Sequence, residues 1–338
     1  MAEVYLANRR SSEGKLGPDL AIKRLLPHLK SNPLFTRMFF NEARITAQIH
    51  HPNVVEVFDM GRIDGEPFIA MELLSGLTFT DLRQKAAEEG RRIPLSISLR
   101  ILSEACKGLD AAHRVVDDGG NLLSIVHRDF NPENIHVGTA GEIKVIDFGI
   151  ARAENIHSGT EPGTLKGKYF YMSPEMISGA QVDHRSDLFA AGVMLYEQMC
   201  GHRPFTATKV EDLLRRISEA KVKKPSEIDP SVPVALERIC LTALAKDPKD
   251  RFPSLREFVV ALQNVGEMAP LASAEEVSGY LRSIRRGSEA NLPAPAVAKG
   301  RSAQNRFDRL QWGWLWALVP ALMIGLGVVW ILLLKSRQ

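Results

Sequence analysis

Over the first hundred residues, short runs rich in β-branched and aromatic side chains (EVYLA, DLAIKRLL, VVEVFDMG, PFIAMELL) alternate with turn signals such as GPD and DGEP. That pattern predicts strands. One helical segment interrupts them: SNP at 31 to 33 offers cap residues and a proline for a helix start, and Phe35, Phe39 and Glu42 then share a face. A carboxylate on an otherwise apolar face requires a cation. Beyond Arg92 the period lengthens, and SISLRILSEACKGLDAAHRV, SDLFAAGVMLYEQMC, VALERICLTALAK and LREFVVALQNV carry apolar residues at helical spacing, with strand-like SIVHR, NIHVG and EIKVIDFG between them. The helix after Asp187 is apolar nearly all round, the mark of a central, buried element. A small, mostly β lobe followed by a mainly helical one is an α+β, two-lobed architecture.

Past residue 266 the pattern changes again. Ser273 and Glu276 form a capping box, and Val277, Tyr280, Leu281 and Ile284 follow at helical spacing beside Arg282, Arg285 and Arg286. This helix either docks on the preceding lobe or lies on anionic lipid. Residues 287–311, rich in Ala, Pro, Ser and Gly at their start, are a flexible linker. From Trp312 to Leu334 runs WGWLWALVPALMIGLGVVWILLL, without a charge. As a helix it covers about 34 Å, against a hydrocarbon core of roughly 30 Å, so a transmembrane helix is expected over 312–334. Trp312, Trp314, Trp316 and Trp330 fall near its ends, where interfacial side chains belong.

Composition changes this picture little. Of 338 residues 45% are apolar and 25% charged, enough for a folded core and too many apolar residues for wholesale disorder. The net charge of +3 gives no reason to expect a nucleic-acid partner. Cys106, Cys200 and Cys240 are far apart with no CxxC spacing, which suits reduced core thiols better than a disulfide frame or a zinc site. MAEVYLANRR contains no uninterrupted apolar run and is not a secretory signal.

The chemistry lies in a set of short patterns occurring in one order: AIK at 21 to 23, Glu42 on a helix, HRD at 127 to 129, Asn134, DFG at 147 to 149 and SPE at 173 to 175. In this constellation residues 1 to about 265 resemble the protein kinase family, and more closely the bacterial Hanks-type Ser/Thr kinases. The resemblance implies a protein-kinase-like fold, with an N-lobe over 1–74 that lacks its first strand and a C-lobe over 75–265. The amphipathic helix would then occupy 266–286. It implies ATP and Mg2+ as cofactors and protein Ser/Thr hydroxyls as acceptors. Lys23 would hold the α- and β-phosphates, with Glu42 fixing its ammonium. Asn134 and Asp147 would be the metal ligands, and Asp129 would accept the hydroxyl proton. Met71 would be the gatekeeper, Glu72 to Leu74 the backbone partners of adenine, and Val4, Ala21 and His136 the lining of the nucleotide cavity. His136 stands where relatives more often have an apolar residue. Glu175 and Arg251 would form a buried ion pair, Asp187 would hold the HRD backbone, and Arg128 would meet a phosphate on Ser158, Thr160 or Thr164.

Two departures stand out. Asn131 occupies the place of a lysine that touches the transferring phosphate in most Ser/Thr kinases, while Lys168 occupies the place of the threonine opposite it, so Lys168 is expected to supply the missing charge. The leading strand and first two glycines of the glycine-rich loop are absent, with Ala2 at the last glycine's position. A start codon assigned too late is the preferred account, and a catalytically weak pseudokinase or scaffold the alternative. The arginine-containing catalytic loop of tyrosine kinases is absent, which points to Ser/Thr acceptors. Lys299, Arg301, Arg306 and Arg309 precede the span against Lys335 and Arg337 after it. A kinase domain facing the cytoplasm from the cell membrane is therefore expected, with a second copy of the chain as partner in autophosphorylation.

Overall fold

The computed structural model describes residues 2–10, 16–30, 32–148, 167–265 and 270–289; for Arg9, Arg10, Leu16, Lys168 and residues 285–289 only the backbone is described. Residues 2–7 and 20–289 belong to one compact unit, and the described residues of the second are Asn8–Arg10 and Leu16–Asp19.

A four-stranded sheet in the order β1-β2-β4-β3 opens the chain, built from β1 (Ala2–Arg10), β2 (Leu16–Leu25), β3 (Val57–Ile63) and β4 (Glu66–Glu72). The GPD turn expected at residues 17–19 lies inside β2. Pairing of β2 with β4 begins only at Leu20 opposite Glu72, so Pro18 sits where no bond to β4 is needed. Against this sheet packs α1 (Pro33–Thr46), capped by Asn32, whose Oδ1 accepts from the Leu34 N–H at 2.9 Å. Phe39 and Ala43 of α1 meet Leu25 and Ile69 of the sheet in a small core of their own.

The helical lobe begins with β5 (Gly76–Thr78) and α2 (Phe79–Glu88), and the latter is a second helix within the first hundred residues. Its sequence, FTDLRQKAAE, is mostly polar; tertiary burial of Phe79, Leu82 and Ala86 and the Thr78 cap on Asp81 N–H make it a helix. Then come α3 (Leu95–His113), β6 (Ile135–Gly138), β7 (Ile143–Val145), α4 (Pro174–Ser178), α5 (Arg185–Cys200), α6 (Val210–Glu219), α7 (Val234–Ala243), α8 (Leu255–Gln263) and α9 (Ala274–Glu289). SIVHR is not a strand: Ser124 and Arg128 have φ of 50° and 63°, which no regular strand accommodates. Strands β5, β6 and β7 form a separate three-stranded sheet. The central position of α5 is real, with every side chain from Leu188 to Leu195 at most 3% exposed and Gly192 buried among them. At Gly192 an added Cβ would stand 2.9 Å from the Ala243 Cβ, so the close crossing of α5 and α7 depends on that glycine.

The two lobes are stitched by the segment before β3. The Val55 N–H donates to Val145 O at 3.0 Å, Val145 N–H to Asn53 O at 2.8 Å, and Asn53 Nδ2 to Ile143 O at 2.8 Å. Helix α3 comes within reach of that segment because residue 108 is glycine; a Cβ there would be 2.5 Å from Asn53 O.

The capping box of α9 is formed: Ser273 N–H donates to Glu276 Oε2 at 2.7 Å and Glu276 N–H to Ser273 Oγ at 3.2 Å. Its apolar face, Val277, Tyr280, Leu281 and Ile284, is buried in the core of the helical lobe. Ser278 donates to Thr139 O at 2.7 Å, and the Arg91 guanidinium lies 5.1 Å from the Tyr280 ring centroid. The three cysteines are buried and unpaired, and burial pushes the Cys106 and Cys240 thiols well above their ordinary range. Among the described residues no helix is long and apolar enough to cross a membrane, and the run 312–334 lies outside them, as do Ser158, Thr160 and Thr164.

Candidate active site

Five polar side chains singled out from the sequence come from four separate stretches of chain. Lys23 is on β2, opposite Ile69 of β4, and its stem is held in a pleat whose neighbours are apolar. Its ammonium meets Glu42 Oε1 of α1 at 2.8 Å and Asp147 Oδ1 at 2.6 Å. Burial alone would push this amine down, but the two carboxylates outweigh burial and hold its pKa above the ordinary lysine value. The ammonium is therefore permanently charged at neutral pH.

The loop that carries Asp129 is fixed from beneath by Asp187, at the start of α5 and only 1% exposed. Oδ2 of Asp187 accepts from His127 N–H at 2.8 Å and lies 2.8 Å from His113 Nε2, while Oδ1 accepts from Arg128 N–H at 3.0 Å. Burial would raise the Asp187 carboxyl, but those bonds and the imidazole of His113 pull it below the ordinary aspartate range. This clamp holds Arg128 in the left-handed region at φ 63°, a conformation costly for any residue with a side chain. The His127 ring accepts from Asp129 N–H through Nδ1 at 3.3 Å, so its Nε2 carries the hydrogen and donates to Ile146 O at 3.2 Å. The ring meets that of Phe148 at a tilt of 38°, centroids 4.7 Å apart, tying the HRD and DFG segments together.

Asn131 has a defined role here. Buried to 3% exposure, it donates Nδ2 to Asp129 O at 2.8 Å and, more weakly, to Asp129 Oδ1 at 3.4 Å, and its Oδ1 caps Glu133 N–H at 2.8 Å. An amide at this position thus braces the aspartate two residues before it, chiefly through that residue's backbone carbonyl. Asn134 donates Nδ2 to the same Asp129 carbonyl at 2.7 Å, which points its own carbonyl oxygen away from the loop. Asp147 is half exposed and, at φ 54°, sits in the left-handed region like Arg128. No cluster of three His, Cys, Asp or Glu among the described residues could hold a metal by itself. A divalent cation between Asn134 and Asp147 needs further oxygens to complete its coordination, as Mg2+ on a triphosphate has.

On the other side of the cleft Ala21 is 4% exposed and pairs with Met71 across the sheet, while Val4 is 60% exposed. Glu72 N–H donates to Glu56 O at 2.9 Å, and its carboxylate takes Lys144 Nζ at 2.8 Å. That N–H is therefore engaged, and a base bound along Glu72 to Leu74 has to use other backbone groups. His136 on β6 is 9% exposed, faces away from its core neighbours Ile135 and Val137, and has a buried Nδ1 with no partner. Burial lowers its pKa, so it is a neutral ring with an unfilled polar atom.

Away from the cleft, Glu175 and Arg251 form the ion pair expected from the sequence, with Nη1 to Oε1 at 2.7 Å and Nη2 to Oε2 at 2.8 Å. A second buried cluster was not foreseen. Glu197 of α5 takes two bonds from Arg83 of α2, at 2.8 and 2.6 Å, one from Tyr171 Oη at 2.8 Å, and the charge of Arg203 at 3.3 Å. The signal was present: a lone glutamate in an otherwise apolar helix, the same reasoning that assigns Glu42 a cation.

Apolar walls, a fixed ammonium, a half-exposed carboxylate and an amide oxygen facing one cleft fit a metal-bound nucleoside triphosphate. Comparison with known proteins agrees. The protein kinase domain family matches residues 1–260. The chain is 38% identical over 307 residues to tyrosine-protein kinase MasK of Myxococcus xanthus strain DK1622, covering 91% of this chain and 45% of that protein. It is 35% identical over 303 residues to serine/threonine-protein kinase Pkn1 of M. xanthus, covering 88% and 40%. A crystal structure of the Mycobacterium tuberculosis PknI kinase domain superposes with a TM-score of 0.55 at 28% identity, covering 78% of this chain and 90% of that one. The chain spans less than half the length of these curated relatives. It belongs to the protein kinase family, which uses ATP and Mg2+, and within that family to the bacterial Hanks-type kinases.

Proposed function

We propose that the chain is a protein serine/threonine kinase held at the cell membrane, with a kinase domain over 1–265, the helix 266–286, a linker 287–311 and a membrane span 312–334. The observation that carries the catalytic part is the joint placement of Lys23 between Glu42 and Asp147, with Asp129 and Asn134 on one braced loop. Bound Mg2+ and ATP supply the phosphoryl group and neutralise its charge. Lys23 holds the phosphates while Glu42 keeps the ammonium aimed into the cleft, and Asn134 and Asp147 provide the metal's protein oxygens. Asp129 takes the acceptor hydroxyl's proton, its carboxylate oriented by Asn131. Ala21, Met71 and His136 line the base and sugar side, and Val4 covers them from β1.

The membrane part rests on the uncharged run ending at Leu334, and the basic residues flanking it favour a kinase domain on the cytoplasmic side. Activation by phosphate on Ser158, Thr160 or Thr164 follows from Arg128 beside Asp129, and a second copy is its source. Tyrosine acceptors are a second reading, favoured by the name of the similar tyrosine-protein kinase MasK. Phosphoamino-acid analysis of the chain and of a mixed acceptor protein after labelling with γ-labelled ATP separates the two. Label is expected on Ser and Thr, and label confined to Tyr overturns the acceptor assignment.

Lys168 supplies the positive charge that Asn131 cannot. Lys168→Met is then expected to lower kcat by about 10²-fold, the size seen when one transition-state donor is lost, with KM for ATP nearly constant. An unchanged kcat with a raised peptide KM leaves Lys168 as a docking residue only.

A further inference from the structure

Beside the catalytic loop lies a groove of about 690 Å³. Asn131, Glu133 and Gly167 form its near end, and α2 with Arg91 and Arg92 one wall. The end of α5 with Arg203 forms the other wall. Its middle carries more cation than anion. Glu197, 5% exposed, is matched by two guanidiniums, and one carboxylate between two such groups leaves a net positive cluster. Arg203 lies 4.2 Å over the Phe170 ring, and its Nε is buried without a hydrogen bond, attracted to Glu197 but not aligned with it. Arg92 donates only to Cys200 O at 3.4 Å among the described residues, while Arg91 is paired with Glu89 at 3.0 Å.

Two other carboxylates face the groove. Glu133 is exposed beside the catalytic loop, and Asp229, held by Ser231 N–H at 2.9 Å and Oγ at 2.6 Å, lies in the field of Arg92 and partly offsets it. A lysine or arginine entering the middle of the groove would meet guanidiniums and a Glu197 whose oxygens are already bonded. A carboxylate would complete the cluster, since Arg presents forked donors that suit it.

We propose that this groove recognises acidic side chains of the acceptor protein, set back along the chain from the hydroxyl that receives phosphate. The assignment rests on the kinase reading for its use but not for its test. The test is fluorescence anisotropy with the full chain and three labelled peptides that differ only in carrying Glu, Gln or Lys at set-back positions around one Ser. The Glu peptide is expected to bind about tenfold tighter than the Gln peptide and the Lys peptide weakest, the advantage shrinking in about 0.5 M salt, where the Debye length is roughly 4 Å. Arg203→Gln is expected to remove most of that advantage and Arg203→Lys to keep it. Should Arg203→Gln fail to fold by circular dichroism, the exposed Arg92→Gln takes its place with a smaller loss expected. Equal binding of the Glu and Lys peptides, or an advantage untouched by these substitutions, overturns the proposal. Binding is read without turnover: preference for Glu with no transfer of phosphate sinks the kinase reading alone, and transfer to a neutral peptide without preference sinks the groove alone.

Discussion

Asp129→Asn is expected to lower phosphate transfer by about 10²- to 10⁴-fold, the range in which a positioned general base contributes. Nucleotide affinity should remain nearly the same. The substitution keeps the shape but removes the site that accepts the proton, and it brings an amide where Asn131 Nδ2 now stands 3.4 Å from Asp129 Oδ1. The neighbours that fix the loop, Asp187 and His127, bond to its backbone and are untouched, so the fold is preserved. Labelled-ATP incorporation beside a nucleotide-displacement titration checks both halves. A variant as active as the parent means that the carboxylate is not the base. A parent with no incorporation at all supports the scaffold reading.

The second large effect concerns stability. Arg251→Met is expected to destabilise the fold by about 3–5 kcal/mol, because it strands a buried carboxylate. Arg251 uses all five of its N–H donors: Nε to Ala245 O, Nη1 to Glu175 and Arg185 O, and Nη2 to Glu175 and Lys246 O. Glu175 in turn accepts from Ser186 Oγ at 2.5 Å. Burial would raise the Glu175 carboxyl, but Arg251 and Ser186 bring it below the ordinary glutamate range. A depressed native pKa stabilises above the unfolded pKa of about 4.3 and loses that contribution as pH falls through the native value. The gap between parent and variant should thus be full at neutral pH and close in acid. Urea denaturation across that range measures it, and a constant gap, or one below about 1 kcal/mol, would mean that packing rather than charge sets the cost.

Much of the site was legible because its residues are short motifs whose chemistry restricts them. Glu42 on an apolar face demanded a cation, and Lys23 is that cation. The capping box at Ser273 and the buried character of α5 followed from local rules of the same kind. What escaped needed tertiary information. The ammonium of Lys23 shared with Asp147 joins positions 124 residues apart, and His113 with Asp187 another pair separated by 74. Helix α2 was hidden by its polar composition, and SIVHR suggested a strand because its apolar residues are buried, although its backbone turns twice into the left-handed region. That residue 131 lacks a lysine's charge is legible from the motif; that its Nδ2 bonds the Asp129 carbonyl is not, because the contact is set by how the loop turns.

Helix α5 has a further consequence. Asp187 near its start braces the HRD turn, and Glu197 toward its end gathers Arg83 and Arg203, so one rigid rod links both. From 187 to 197 the rise is about 15 Å at 1.5 Å per residue. On the proposed reading of the groove, that spacing acts as a gauge: the interval between the modified hydroxyl and the acidic side chains set back from it is held by a buried helix and not by pliable surface segments.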